Sequence, residues 1–240
     1  TNIFIFLKFF NSKSCEIFME DLTLIIPAKN EKESLPKVLE ELKKFNFNIK
    51  ICLDNNDIET IDSIKDSGCE IIYQPKKGYG NALIHGINIC KTKYFCIFNA
   101  DGSFNPKEIS AMLNKLVVEN LDVVFASRYQ KDSGSEDDTL VTLVGNFFFT
   151  ALGKILFSLP ITDILYTFVM GKTNKINDLK LSQNDFSFCV ELPIKAQKNK
   201  LKIASISAHE RSRIAGKKKV NAFKDGFLIL IHMIKLFFSK

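Results

Sequence analysis

The chain is 240 residues long, 46% apolar and 25% charged, which is ordinary for a globular protein and enough for one substantial core. The net charge of +6 is mild, so a nucleic-acid partner is not expected, and no window offers the roughly 20 uninterrupted apolar residues of a membrane span. A single domain, alone or with a helical appendage, is expected.

Residues 1–20 read as an N-terminal extension outside the fold: TNIFIFLKFF is apolar without a signal-peptide cleavage pattern after it, and Met19 stands just ahead of the first clear strand. Leu22–Ile26 is an apolar run stopped by Pro27, and Leu35, Val38, Leu39 and Leu42 give Ser34–Lys44 helical spacing. Strands follow at Ile49–Leu53 and Glu70–Tyr73, with a helix over Ile58–Ser67 between them, ended by Gly68. Asn81–Cys90 reads as a helix, Tyr94–Phe98 as the fourth strand, the segment after Pro106 as a helix, and Asp122–Ala126 as the fifth strand. Apolar strands alternating with helices indicate a mostly parallel α/β sheet covered on both faces.

After Arg128 the character changes. Gln130–Thr139 is polar and Gly/Ser/Asp-rich, which predicts a mobile loop. An apolar helix is expected over Gly145–Pro160, and in the last segment Phe223, Phe227, Leu230, Ile231, Ile234 and Phe238 share one helical face. Such stripes pack on a core by default. Beside the basic run Arg211, Arg213, Lys217, Lys218, Lys219 and Lys224 they also suit an interfacial membrane contact or a homodimer. The six cysteines contain no CxxC pair and no zinc spacing with the three histidines, so buried free thiols in a reducing compartment are expected.

Polar clusters close the predicted strands: PAKNE after the first, LDNND after the second, NADGS after the fourth and ASRY after the fifth. Carboxyl ends of parallel strands share one edge of a sheet, so these clusters should line one crevice. A cluster such as Asn99-Ala100-Asp101-Gly102-Ser103 could alone be a turn; four at one edge point to a ligand site.

Together with KGYGNALIHGI, ITDILYTFVMGK, FCVELPIKAQ and ERSRIAGKKK, in this order, these motifs resemble the family 2 glycosyltransferases of the GT-A fold, in particular the branch of dolichyl-phosphate mannosyl- and glucosyltransferases. The resemblance runs over roughly Leu22–Phe238. It implies a GT-A-like (Rossmann-like) domain over 21–215 and a basic amphipathic C-terminal helix over 216–240. It further implies inverting transfer of a hexose from a nucleotide sugar to a polyprenyl phosphate or a glycan, on the inner face of the cytoplasmic membrane.

Carried over by motif, Pro27, Ala28, Asn30, Glu31 and Asp54 would hold the nucleoside, and Gly78 and Gly80 would let the chain pass close to it or merely form a turn. Asn99, Asp101 and Ser103 would hold Mg²⁺ or Mn²⁺ against the diphosphate, with Ala100 beside it and with Asn99 standing where the family has a carboxylate. Arg128, Arg211, Arg213 and Lys219 would meet phosphate. Asp163 or Glu191 would be the base for a hydroxyl acceptor; for a phosphate acceptor, Asp163 would position a substrate and Glu191 would be structural. His85 and His209 are left without a role. The rivals are a nucleotidyltransferase, disfavoured because PAKNEKE has no glycine to wrap a triphosphate, and a non-catalytic nucleotide-sugar-binding protein.

Overall fold

The structure is a computed structural model that describes residues 19–216 and 218–239. The expectation for the N-terminal extension falls almost wholly outside the described residues. The first five strands are β1 (Leu22–Pro27), β2 (Asn48–Leu53), β3 (Glu70–Tyr73), β4 (Tyr94–Ile97) and β5 (Val123–Ser127). Between them run the helices α1 (Leu35–Leu42), α2 (Ile58–Ile64), α3 (Tyr79–Asn88) and α4 (Lys107–Val118). Each lies within a few residues of its expected place. Every residue of β1, β4 and β5 is buried, as a strand covered on both faces requires.

The period of two sorts side chains between two cores. Leu22, Leu24, Ile26 and Cys96 pack with Leu35, Val38 and Leu39 of α1 and Ile109, Met112 and Leu113 of α4. Ile25, Cys52, Phe95 and Ile97 face the other way, onto Ala82, Leu83 and Ile87 of α3 and onto the C-terminal helices. Among the described cysteines all five are free; burial pushes the Cys52 and Cys189 thiols up to about 12, so they are inert packing groups at neutral pH.

The second half holds elements the periodicity does not reveal: β6 (Gly134–Ser135), β7 (Val169–Lys172), α6 (Thr173–Asn177), α7 (Phe188–Lys198), β8 (Ile203–Ser207) and β9 (His209–Glu210). Strand β7 inserts antiparallel between β4 and β5, giving the order β3-β2-β1-β4-β7-β5-β8 with every other pairing parallel. Its antiparallel direction brings its N-terminal approach, including Thr167, to the sheet edge that carries the other polar clusters. The expected mobile loop Gln130–Thr139 is instead tied down: β6 pairs with β9, and the Ser135 hydroxyl donates to Glu210.

The apolar helices are α5 (Leu140–Phe157) and α8 (Ala222–Phe238), which pack on each other and on α7. Helix α5 starts five residues ahead of the expected Gly145, capped by Thr139, because Thr139 and Thr142 form a capping box. At 18 residues it is, by length and composition, long and apolar enough to cross a membrane, which corrects the expectation that no window suits a span. Its inner face, Asn146, Phe149, Thr150 and Gly153, is nonetheless buried against the domain. The default packing of the α8 stripe is also corrected: Ile229, Met233 and Leu236 are buried, whereas Phe223, Phe227, Ile234 and Phe238 are exposed.

Candidate active site

The carboxyl ends of β1, β2, β4 and β5 meet at one edge, where their polar tails become loops. At the end of β1 the amide of Ala28 donates to the Cys52 carbonyl at 2.9 Å, continuing the pairing with β2 by one residue. Asn30 adopts φ 53°, in the left-handed region that Asn tolerates, and its N–H donates to Asp57 Oδ2 at 2.7 Å. The amide of Glu31 donates to Thr60 Oγ1 at 2.9 Å, so helix α2 fixes the turn that follows β1. Asp54 accepts from Asn56 through its backbone and side-chain N–H groups at 2.9 and 2.8 Å, which holds its carboxyl below the usual range. Asp57, which the sequence reading passed over, is thus the residue that joins the first two strand ends.

At the end of β4, Asp101 Oδ1 accepts from the Ser103 amide at 3.0 Å and its hydroxyl at 2.7 Å. The other oxygen, Oδ2, lies 3.6 Å from Arg213 Nη1 and points away from the turn. Gly102, at φ 84°, holds a backbone conformation that side chains rarely adopt, and a Cβ there would also push the Ile214 side chain, 2.5 Å away. Asn99 Oδ1 receives the Tyr79 hydroxyl at 3.5 Å, and that hydroxyl also shares a 2.6 Å bond with Thr167 Oγ1. Among the described residues no group of three or more His, Cys, Asp or Glu side chains is placed to hold a metal ion. The chemistry here still fits a hard cation of the Mg²⁺ type, which binds through one or two carboxylates, several waters and substrate phosphates. Asp101 would supply the carboxylate, with Asn99 and Ser103 as neutral oxygens nearby.

Residues Arg211–Gly216, together with Lys218 and Lys219, form a strap across this edge. The amides of Arg211 and Ile214 donate to the carbonyls of Ser103 and Asp101 at 2.8 and 2.7 Å. Lys219 pairs with Glu31, whose carboxylate also receives the Ser34 hydroxyl. Arg213 is forked onto Asp137, Nε to Oδ1 at 3.2 Å and Nη2 to Oδ2 at 2.8 Å, and Lys218 lies 3.2 Å from the same carboxylate. Arg211 turns the other way, onto Glu41 of α1 at 2.9 and 3.0 Å.

Other residues expected at the site hold its walls. Arg128 is mostly covered, its side chain 10% exposed, and heavily bonded: Nε and Nη2 donate to Asp163 at 2.8 and 3.1 Å, and Nη1 donates to Glu210 at 3.0 Å and Asp138 at 3.3 Å. Burial opposes its charge, but Asp163 and Glu210 outweigh this and hold the proton more tightly than usual. Asp163, 1% exposed, also accepts the Arg128 amide at 3.1 Å and Asn146 Nδ2 at 2.8 Å. Both of its oxygens are engaged. In this arrangement Arg128 and Asp163 tie β5, the 130s loop, α5 and β9 together.

Glu191 is fully buried on α7. It accepts from the Ser182 amide and hydroxyl and from the Gln183 amide at 2.9 to 3.1 Å, and Lys195 lies 2.8 Å away. Burial would raise its carboxyl, but the Lys195 hydrogen bond and the two backbone donors bring it below the usual range. The loop it holds presses on the start of α3. A Cβ at Gly78 would stand 2.1 Å from the Asn184 carbonyl oxygen, and one at Gly80 would stand 2.1 Å from that of Gln183. These glycines admit a neighbouring backbone, which was neither of the two roles expected for them. The loop's Phe186 stacks on Tyr79 at 5.0 Å, which places the loop that Glu191 holds against the residue whose hydroxyl reaches Asn99.

A parallel sheet broken by one antiparallel strand, with acidic and amide side chains at its carboxyl edge and a basic strap across them, defines the GT-A class of nucleotide-sugar-dependent transferases. The glycosyl transferase family 2 model matches residues 23–179, and the chain belongs to that family. It is a glycosyltransferase that uses a nucleotide sugar. Similar proteins include an uncharacterized protein of Methanocaldococcus jannaschii, 26% identical over 93% of this chain and 97% of its own length. A UDP-N-acetylglucosamine–dolichyl-phosphate N-acetylglucosaminyltransferase of Methanococcus voltae is 26% identical over 76% of this chain and 82% of its own. Among solved structures, glucosyl-3-phosphoglycerate synthase from Mycobacterium tuberculosis, in complex with Mn²⁺, UDP and glucosyl-3-phosphoglycerate, superposes with a TM-score of 0.74 at 12% identity, covering 93% of this chain and 81% of that one.

Proposed function

We propose that the protein is an inverting hexosyltransferase that moves a sugar from a UDP-sugar to a polyprenyl phosphate at the cytoplasmic membrane surface. One observation carries the choice of acceptor. A hydroxyl acceptor needs a carboxylate to take its proton, and the two candidates, Asp163 and Glu191, are buried at 1% and 0% exposure with their oxygens bonded. An acceptor that arrives as a phosphate monoester is already anionic and needs no base. The relative that acts on dolichyl phosphate and the UDP-bound neighbour support the acceptor and the donor base.

In this reading an acceptor phosphate oxygen attacks the anomeric carbon in line while the bond from that carbon to the diphosphate oxygen breaks, and the electron pair leaves with UDP. Arg213 and Lys219 offset the charge on the leaving diphosphate. A divalent ion on Asp101 would add further Lewis-acid stabilisation of the same oxygens. Pro27, Ala28, Asn30 and Asp54 line the end of the crevice where the nucleoside would lie.

The outer faces of α5 and α8 supply the membrane contact. Val141, Val144, Phe147 and Ile155 of α5 and Phe223, Phe227, Ile234 and Phe238 of α8 are all exposed, with Lys218 and Lys224 alongside. Such a patch, flanked by cations, fits an anionic lipid surface, and the buried inner face of α5 favours lying on the bilayer over crossing it. The test is release of UDP from UDP-glucose and UDP-N-acetylglucosamine with Mn²⁺, in detergent, with and without a long-chain polyprenyl phosphate. Turnover that requires the lipid phosphate is expected. Turnover with a soluble sugar alcohol and none with the lipid would overturn the acceptor assignment.

A further inference from the structure

The Arg213 guanidinium is held unusually for a group expected to meet substrate. Its Nε and Nη2 edge is taken bidentately by Asp137, while Nη1 projects toward Asp101 Oδ2 and stops 3.6 Å short of it. That gap exceeds an N⁺–H···O⁻ hydrogen bond, which closes to about 2.7–2.9 Å, so Nη1 faces the cleft without a saturating partner in Asp101. Asp137 is therefore a clamp that fixes the plane of the fork and leaves one donor pointing at the residue best suited to carry a metal-bound diphosphate.

The clamp is itself anchored. The amides of Asp137 and Asp138 both donate to the Ser135 hydroxyl oxygen, at 3.2 and 3.0 Å. Asp138 holds Arg128, and the next residue, Thr139, caps α5. Asp137 thus sits at the join of the site and the rigid Arg128 network, and its cationic partners keep it ionised against the effect of burial: burial acts to raise its carboxyl, but Arg213 and Lys218 outweigh it and hold it below the usual range. A long arginine normally loses much side-chain freedom when it binds a ligand; here most of that freedom is already removed before the ligand arrives.

We propose that Asp137 is a positioning residue for donor binding: by clamping Nε and Nη2 of Arg213 it presents Nη1 to the diphosphate at Asp101. This rests on the reading of Asp101 and Arg213 as the diphosphate site, not on the identity of base, sugar or acceptor. The partner chemistry is a diphosphate with a divalent cation, so magnesium pyrophosphate serves as a probe independent of any nucleotide.

The experiment measures magnesium pyrophosphate binding by calorimetry for the wild type, Asp137→Asn, Asp137→Glu, Arg213→Lys and the Asp137→Asn/Arg213→Lys pair, with thermal unfolding of each in parallel. Asp137→Asn and Arg213→Lys should each weaken binding by about tenfold or more, because a lost charge-assisted bidentate contact is of that order. The double variant should be no weaker than the worse single, since either change alone undoes the same clamp. Asp137→Glu, which can still fork, should recover part of the loss. Unchanged affinity in Asp137→Asn, or losses that add in the double variant, would overturn the proposal. So would a wild type that does not bind magnesium pyrophosphate. A wild type that binds pyrophosphate but turns over no UDP-sugar would instead leave the clamp standing and defeat the donor assignment.

Discussion

Replacing Glu191 by Gln separates a structural carboxylate from a catalytic one. Gln keeps the size of the side chain and one acceptor oxygen, but it loses the charge that gathers the Ser182 and Gln183 amides, the Ser182 hydroxyl and the Lys195 ammonium. Hydrogen bonds to a charged group contribute about 1.5–3 kcal/mol each, and removing one member of a buried pair costs about 3–5 kcal/mol. Ser182 is exposed and Lys195 half-buried, so water replaces part of what is lost. A net loss of about 2–4 kcal/mol follows, which for a chain of this size lowers Tm by about 5–15 °C. The pH dependence has a definite sign. The Glu191 carboxyl is lowered in the folded protein, so its contribution is complete above the ordinary value of 4.5 and is lost as pH falls through the lower folded value. The gap in Tm between wild type and variant should therefore be full at pH 7 and shrink as pH falls below about 4.5. Measured beside it, transfer per folded molecule should stay within a few-fold of wild type. Loss of turnover at an unchanged Tm would make Glu191 a reacting group and remove the argument for an anionic acceptor.

Gly80→Ala forces a Cβ to within 2.1 Å of the Gln183 carbonyl oxygen and 2.7 Å of that of Asp185, both backbone atoms. It should cost about 1–3 kcal/mol by thermal unfolding and weaken donor binding as Tyr79 shifts. Asn99→Asp adds a carboxylate beside Asp101 and should tighten Mn²⁺ binding in calorimetry; a loss of affinity would mean that the cleft is arranged around a neutral amide. In vesicle flotation at low salt, the wild type should rise with anionic liposomes, and Phe223→Asp/Phe227→Asp should not. If the wild type fails to float with vesicles of any charge while sedimenting as a dimer, the apolar face belongs to a second copy.

The first half of the fold is legible because its signals are local. The strands from β1 to β5 are short, mostly apolar runs closed by Pro27 after β1, by polar clusters after β2 and β4, and by Ser127-Arg128 after β5, and each helix carries apolar residues at helical spacing. Strand β7 is not legible in this way. Val169-Met170-Gly171-Lys172 is four residues with a glycine, and what makes it a strand is the slot between β4 and β5, where a Cβ on Gly171 would press the Asp122 carbonyl at 3.2 Å. Strand β8 is a half-buried edge strand, so its pattern is weak.

In the site, Asp101, Asn99, Arg213 and Lys219 stand where their motifs imply, at one edge of the sheet. Arg128, Asp163 and Glu191 carry the same motif signal, yet Arg128 and Asp163 are engaged by partners far off in sequence, such as Glu210 and Asn146, and Glu191 by the Ser182–Gln183 loop and Lys195. Spacing along the chain reports that a polar residue matters, not whether its oxygens remain free. Asp137 and Tyr79 were missed for the complementary reason. The first lies in a Ser/Asp-rich loop that reads as solvent-facing, and the second is flanked by glycines that read as a turn. One signal was available for Tyr79, an aromatic between two glycines immediately before an apolar helix.

The most direct test of the central claim is calorimetric titration of UDP with Mn²⁺ into the wild type and into Asp101→Asn, with folding verified by thermal unfolding. The account predicts metal-dependent binding to the wild type, at least tenfold weaker binding to the variant, and little effect of metal on what remains. Equal affinity of the two proteins, or binding to the wild type that is indifferent to the ion, would contradict a diphosphate site centred on Asp101.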